Sequence, residues 1–280
     1  MIIETNQAYH ANEAVSHSKL EVFRRRPMLY YKRHVAKILA REPASAAFRV
    51  GSAAHAVILE PMTWHEQFAV RPEGIDRRTK QGKDEFAAFE AQHAGKTIID
   101  QDEAAQIAEM AASVASHPLA NELLAHGFPE RSFRSIGKSF AIQCRPDWIN
   151  LGGCELSGGR PYIADVKTTE SLADFEFGSF ERTVFRYGYH RQAGFYLPLV
   201  SESVAQPVYD FFFIAVEKVE PYGVAVYRMT DEACALGQDE TVADLTRLKS
   251  CIEAGQWPNI EPTLRELGVP SWYAKGARND

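Results

Sequence analysis

The chain has 280 residues, of which 45% are hydrophobic and 24% are charged, as expected for a globular protein with a sizeable core. No run of about 18 or more apolar residues occurs and no secretory signal pattern opens the sequence, so we expect a cytoplasmic protein that does not span a membrane. The four cysteines form no CxxC pair, which argues against a zinc or iron–sulfur site and predicts reduced thiols; they are Cys144, Cys154, Cys234 and Cys251.

The formal net charge of −6 speaks at first against a protein that binds nucleic acid. The bases are unevenly distributed, however. Eight lysines and arginines stand between Lys19 and Arg41 against one acid, and five stand between Arg71 and Lys83 against two acids. Such stretches can hold phosphates with a steep dependence on salt, although a solvated helix face gives the same pattern.

The first part of the chain shows the apolar spacing of amphipathic helices. The predicted helices begin near Ser16 or Ser18 and then cover residues 45–59, 83–94 and 101–116. Asp100 with Glu103 resembles a capping box that opens the last of them. Residues 71–82 are predicted to be a basic loop. On the helix 45–59 the expected apolar side is Phe48, Ala54, Val57 and Ile58.

The second part of the chain is typical of strands. The predicted strands are 130–136 and 139–148, joined as a hairpin at Gly137-Lys138, followed by 162–167, 208–216 and 223–229. Helices are expected at 187–203 and 230–254. Helices flanking a mixed sheet predict an α/β or α+β fold. We expect one domain over 1–280, made of a mainly helical part, a catalytic sheet core and a C-terminal helix with a tail; their ranges are 1–125, 126–230 and 231–280.

The segment Ile163-Ala164-Asp165-Val166-Lys167 is the strongest local signal of chemistry. Residues two apart on a strand project from the same face, so Asp165 and Lys167 are predicted to stand side by side. A carboxylate and an ammonium group placed together can hold a metal ion and a nucleophilic water. An ordinary ion pair at a strand edge gives the same pattern.

Further polar residues stand near these strands. Asp147 follows Pro146 at a predicted strand end, where a second carboxylate would suit a hard divalent cation, although aspartate is also common in turns after proline. His55 lies on a helix that is otherwise small and apolar, which is equally typical of a core histidine. Glu130 opens the first hairpin strand. Gln192 and Tyr196 are four residues apart and share a helix face, as half-buried residues often do.

The order His55, Asp147, Asp165-x-Lys167, Gln192 and Tyr196 resembles the RecB-like branch of PD-(D/E)XK nucleases, whose last motif is Q-x-x-x-Y. Within that branch the chain is similar to the nuclease domains of the exodeoxyribonuclease VIII (RecE-like) family and its phage relatives. The similarity extends over nearly the whole chain; it is carried by GSAAHAVILEP, RRTKQGK, CRPDWI, DVKTT, YHRQAGFY and the tail WPNIEPTLRELGVPSWY. The resemblance implies the PD-(D/E)XK restriction-endonuclease-like fold, with a central mixed sheet flanked by helices.

The resemblance also implies roles for individual residues. The catalytic Mg²⁺, for which Mn²⁺ can substitute, would be bound by His55, Asp147, Asp165 and the carbonyl of Val166. Lys167 would orient or deprotonate the attacking water and stabilise the charge that develops on the phosphate. Gln192 and Tyr196 would help to position the active site and the DNA backbone. Glu130 would assist a second metal.

The activity that the resemblance implies is digestion of linear double-stranded DNA from its ends, in the 5′-to-3′ direction. This digestion would expose a 3′ strand for a RecT-like single-strand annealing protein in DNA recombination. A homo-oligomeric ring through which DNA passes is implied as well. The alternatives are an endonuclease on the same fold, an inactive DNA-binding recombination scaffold, and a structural α/β protein in which these groups are ion pairs.

Overall fold

The computed structural model describes residues 1–40, 46–172 and 180–260, together with 263, 266, 268 and 269. Arg41, at the end of the first basic stretch, lies outside these residues. Most of the tail motif that begins at Trp257 also lies outside them. Among the helices of the described ranges, none combines the length and the apolarity needed to cross a lipid bilayer.

Helices make up most of the first half and flank the sheet in the second half. In chain order they are α1 (Asn6–Ala11), α2 (His17–Arg25), α3 (Pro27–Tyr30), α4 (Ala46–Leu59), α5 (Trp64–Gln67), α6 (Lys80–Gln92), α7 (Gln101–Ser116), α8 (Pro118–Leu124), α9 (Phe180–Tyr187), α10 (Tyr189–Val204) and α11 (Asp231–Ala254). A π-helical turn, Tyr31–Val35, follows α3. Several helices begin at side-chain caps, because the first N–H groups of a helix lack internal partners. Ser16 caps α2, and the predicted capping box of Asp100 and Glu103 at α7 is confirmed.

The strands of the described residues form one central sheet and two small ones. They are β1 (Phe68–Val70), β2 (Thr97–Ile99), β3 (Phe128–Pro129), β4 (Phe133–Ile136), β5 (Ala141–Cys144), β6 (Trp148–Asn150), β7 (Tyr162–Thr169), β8 (Asp210–Glu217) and β9 (Val224–Arg228). The central sheet has the order β3-β6-β7-β8-β9. Strands β7 and β8 pair in parallel, with α9 and α10 between them in the chain, and the other neighbours are antiparallel. The predicted mixed sheet is therefore confirmed.

The two central strands separate the hydrophobic core into two halves. Alternate residues of β7 and β8 point to opposite faces, so Ile163 and Phe213 belong to a hydrophobic cluster with residues of α2, α10 and α11, whereas Tyr162 and Ile214 belong to a second cluster with residues of α4, α7 and α8. Both faces are covered by helices, which explains why β8 is apolar almost throughout. The result is a three-layer α/β/α arrangement in which the odd-numbered residues of β7, including Asp165, face α10.

The structure corrects the prediction that residues 139–148 form one strand. The hairpin with β4 ends at Cys144, and the chain enters the central sheet as β6 only at Trp148. Pro146, which has no N–H to donate, lies between the two strands. Glu130 also lies outside β4, because that strand begins at Phe133.

Two expectations for the helical part also need correction. Phe48 was expected on the apolar side of α4 but is 66% exposed. The predicted loop 71–82 ends earlier, because Thr79 caps α6 and the helix begins at Lys80. The helical part also contains the parallel pair β1–β2, which was not predicted.

Two bases of the first basic stretch are used in internal contacts. Lys19 is buried and donates to the carbonyl oxygens of Asn12 and Ala14. Arg24 pairs with Asp244 at 3.0 Å on α11. The charges of these two bases are therefore held by the protein itself.

Helices α10 and α11 approach each other closely because both carry a glycine at their contact. A Cβ atom on Gly194 would stand 2.2 Å from the backbone nitrogen of Gln238, and one on Gly237 would stand 2.0 Å from the carbonyl oxygen of His190. Neither backbone can yield without moving a whole helix. The contact positions α10 over the sheet.

We expect Gly194→Ala to lower the free energy of unfolding by about 1–3 kcal/mol, because the added methyl group overpacks this contact. Urea unfolding followed by circular dichroism measures the change. Gly152→Ala is the matched control, since a Cβ atom there would meet Asn150 Oδ1 at an ordinary 3.6 Å. Equal stability of the two variants would contradict the close approach.

Candidate active site

Asp147 links the edge of the sheet to the neighbouring helix layer. Strand β6 begins just after it, with Trp148 opposite Ala164, so the backbone N–H of Val166 on β7 lies beyond the last pair of β6. Asp147 Oδ2 accepts that N–H at 2.8 Å. The side chain thus extends the hydrogen bonding of the sheet, and its carboxylate is held beside Asp165.

His55 reaches the same carboxylate from α4. Its Nδ1 lies 3.2 Å from Asp147 Oδ2, and both side chains are mostly buried. Gly51, one helical turn earlier, allows α4 to lie close to β7, because a Cβ atom there would meet Thr168 Oγ1 at 3.3 Å. The small residue therefore brings the histidine to the strand edge.

Asp165 is the most deeply buried member of the cluster, with 1% of the residue exposed. Its Oδ2 lies 2.5 Å from Lys167 Nζ, which confirms that the two side chains share a strand face. Its Oδ1 accepts from Gln192 Nε2 at 2.5 Å. The two predicted residues of α10 make different contacts. Gln192 contacts Asp165 directly, whereas Tyr196 packs edge-on against Phe211.

Glu130 approaches the cluster from the other side of Asp147. Its carboxylate pairs with Arg145 Nε at 2.6 Å, and its backbone N–H donates to the carbonyl of Asp147 at 3.0 Å. Glu130 has a φ of +51°, a left-handed conformation that costs energy for a residue with a side chain. The local fold therefore holds this carboxylate in place, although no metal role follows from that.

The cluster opens into a cleft of about 1090 Å³ between α4 and α9. His55, Glu130, Arg145 and Lys167 line it, together with Gly51, Ser52, Thr183, Arg186, Tyr187 and Tyr189. The second basic stretch lies elsewhere, because Arg71 and Arg77 line a separate cavity of about 410 Å³ with Arg49 and Lys96. His55 and Lys167, which contact the two buried aspartates, are therefore open to a substrate in the first cleft.

Burial and mutual repulsion shape the charges of the cluster. Burial raises the pKa of Asp165 to about 6, and the nearby charge of Asp147 adds to this effect while Lys167 opposes it. Burial also acts to raise the pKa of Asp147, but the His55 charge and hydrogen bond outweigh it and hold that pKa below its ordinary value. The pKa of Lys167 is raised, because the two aspartates outweigh the effect of burial. Burial raises the pKa of Glu130 to about 8, with the charge of Asp147 adding to it and Arg145 opposing it.

The donor set fits a hard divalent cation. Two buried carboxylates repel each other, and Asp165 Oδ2 receives no hydrogen bond of ordinary geometry from the described residues. Carboxylate and carbonyl oxygens suit Mg²⁺ and Mn²⁺, and a single imidazole is compatible with them. Within the described ranges no three His, Cys, Asp or Glu side chains already surround a common point. A cation would therefore take the place of the His55–Asp147 and Lys167–Asp165 contacts.

Two residues of this site were missed in the sequence. Arg145 lies directly before Pro146 and neutralises Glu130, and Tyr189 supports Lys167, whose Nζ lies 4.6 Å from the ring centroid. Both stand beside predicted site residues in the chain. Their roles depend on contacts between distant segments, so spacing alone does not identify them. The four cysteines are free thiols, as expected.

Comparison with known proteins supports this picture of the fold. A family model described as a PDDEXK-like domain of unknown function (DUF3799) matches residues 16–261. A crystal structure of a protein from Eubacterium rectale, described as a candidate exonuclease, is 15% identical with a TM-score of 0.63 and 96% coverage of each chain. A second structure, of a protein called SSO0001, is 16% identical over 73% of this chain and 85% of that one, but the TM-score is only 0.29. The comparison with curated proteins gives no match.

Proposed function

The chain belongs to the family of PDDEXK-like domains (DUF3799), and on this premise we propose that it is a metal-dependent deoxyribonuclease that hydrolyses linear double-stranded DNA from an end. One observation carries the proposal. Asp147, just before β6, and Asp165, within the adjacent strand β7, contact His55 and Lys167, which line an open cleft. An ion pair that only stabilised the fold would not need two mutually repelling carboxylates at such a place.

His55, Asp147, Asp165 and the carbonyl of Val166 are the groups we propose as ligands of Mg²⁺ or Mn²⁺. A bound cation would supply positive charge beside the phosphate oxygens and lower the pKa of a water molecule. Asp147 is already oriented by the Val166 N–H, and Gln192 orients Asp165 through Oδ1. The protein thus fixes both carboxylates before any substrate arrives.

Lys167 is proposed to act on the substrate directly. Its ammonium group lines the cleft and rests on the ring of Tyr189. From this position it can orient the attacking water and donate to a phosphate oxygen as negative charge develops there. Tyr196, which packs edge-on against Phe211, is proposed to help Gln192 position the active site and the DNA backbone. Glu130, held by Arg145, is proposed to assist a second cation.

We propose further that digestion runs 5′-to-3′ and exposes a 3′ strand for a single-strand annealing partner, with the chain assembled as a homo-oligomeric ring. The order of the motifs supports this reading through the exodeoxyribonuclease VIII resemblance. The description of the Eubacterium rectale protein supports an exonuclease over an endonuclease.

Digestion of linear duplex DNA labelled separately at the 5′ and 3′ ends, with closed circular DNA beside it, tests the proposal. In Mg²⁺ we expect early release of the 5′ label, because the strand is entered at its end, and no cleavage of circles. Removal of the metal with EDTA should abolish release of the label. Cleavage of the circular DNA would contradict the proposal and indicate an endonuclease. If linear DNA stays intact in both Mg²⁺ and Mn²⁺, the protein is better described as an inactive DNA-binding scaffold.

A further inference from the structure

A row of side chains leads from the catalytic cluster to the surface. Lys167 Nζ lies 4.6 Å from the ring centroid of Tyr189, and that ring stacks on Tyr187 with centroids 6.0 Å apart and planes 26° apart. The guanidinium carbon of Arg186 lies 5.7 Å from the centroid of Tyr187. The row is therefore continuous from the buried strand to the solvent.

The two tyrosines differ in how they are held. Tyr189 packs against the buried rings of Phe180 and Phe213 and is therefore rigid. Tyr187 stacks on Tyr189 and is 49% exposed. The Tyr187 ring is thus supported by Tyr189 but remains partly exposed to solvent, although burial of an aromatic ring would be favourable.

Helix α9 turns this exposed ring into the cleft. Thr183, Arg186 and Tyr187 are spaced three and four residues apart, so they share one face of the helix, and all three line the cleft. Phe180 and Val184 of the same helix are buried. The helix is therefore held in the core by these two residues, while Arg186 and Tyr187 in its last turn line the cleft.

We propose that Tyr187 with Arg186 forms a stacking site for one unpaired nucleobase next to the phosphate that is cut. The inference rests on the proposed nuclease function and extends it to the state of the DNA end. An aromatic ring accepts any base by its π-face, and a neighbouring guanidinium takes the phosphate of the same nucleotide. A base that remains paired inside a duplex offers no free face. The terminal nucleotides must therefore separate from the partner strand before cleavage.

Equilibrium binding of two fluorescein-labelled 12-mers tests the stacking site without turnover. One is oligothymidine, the other has the same backbone with every base removed, and Ca²⁺ replaces Mg²⁺ to prevent cleavage. We expect Tyr187→Ala to weaken binding of oligothymidine by about 5- to 150-fold, the range that corresponds to base–aromatic stacking. Its affinity for the abasic strand should stay within about twofold, and Tyr187→Phe should bind both strands like the wild type.

Tyr209→Ala is the matched control. Tyr209 is 52% exposed and has the guanidinium of Arg160 at 5.5 Å from its ring, but it precedes β8 at the opposite end of the sheet from Lys167. This variant should bind both strands normally. Equal weakening of both strands by Tyr187→Ala, or no weakening of either, would overturn the stacking site alone. Failure of the wild type to bind either single strand would also overturn the stacking site, whereas the proposed nuclease function is decided separately by digestion of linear duplex DNA.

Discussion

Asp165→Asn is expected to lower the rate of DNA cleavage by at least about 1,000-fold, since a metal ligand and its negative charge are lost at the reacting centre. Asparagine has the same shape, and its Oδ1 can still accept from Gln192, so the contact that orients the side chain remains possible. The rate of release of labelled nucleotide from linear duplex DNA, in Mg²⁺ and in Mn²⁺, measures the effect. Isothermal titration calorimetry should show weaker Mn²⁺ binding.

Asp210→Asn is the matched control for this variant. Asp210 is 2% exposed and starts β8, where it pairs with Arg160 and Arg228. Removing its charge should reduce stability, because two arginines lose their partner, but cleavage should change by less than about fivefold. A folded Asp165→Asn protein that digests DNA at the wild-type rate would sink the proposed function.

Lys167→Met is expected to lower cleavage by about 100- to 10,000-fold, the range observed for groups that transfer protons or stabilise charge in a transition state. Methionine keeps the length and the contact with the ring of Tyr189 but has no ammonium group. Because Lys167 is not a proposed ligand and its ammonium competes with a cation for Asp165, Mn²⁺ binding measured by calorimetry should not weaken. This separates the variant from Asp165→Asn.

Thermal unfolding must accompany the Lys167→Met measurement, since loss of the ammonium leaves Asp165 without its ion-pair partner. Lys249→Met provides the control, because Lys249 is exposed and pairs with Glu253 one turn along α11. Wild-type cleavage by folded Lys167→Met would show that the lysine serves the fold and not the reaction.

Elements whose signals are local could be predicted from the sequence. Helix α7 begins at its capping box, in which Asp100 and Glu103 satisfy each other's backbone N–H groups within one turn. Helix α11 begins after Thr230 for the same kind of reason. The pairing of Asp165 with Lys167 also follows from the period of a strand. Each of these features depends on residues no more than four positions apart.

Features that depend on distant contacts escaped prediction. Strands β1 and β2 have three residues each and pair across 26 intervening positions of the chain, so neither shows a pattern by itself. Phe48 was expected on the buried side of α4, but the buried residues of this helix include Val50, Ala53, Ala54 and Leu59. The support that Tyr189 gives to Lys167 arises only after α10 has packed on β7. The sequence therefore identifies the reactive groups more readily than the residues that hold them.

The hydrogen bond between Asp147 and the Val166 amide couples strand β7 to any cation that Asp147 binds. Asp147 Oδ2 accepts this N–H at 2.8 Å, so any cation at that carboxylate competes for the same electron density. The amide proton of Val166 should then become less deshielded, a change that appears as one moving cross-peak in a ¹⁵N-correlated spectrum. Binding of a cation at Asp147 can thus be followed by nuclear magnetic resonance in inactive variants and without added nucleic acid.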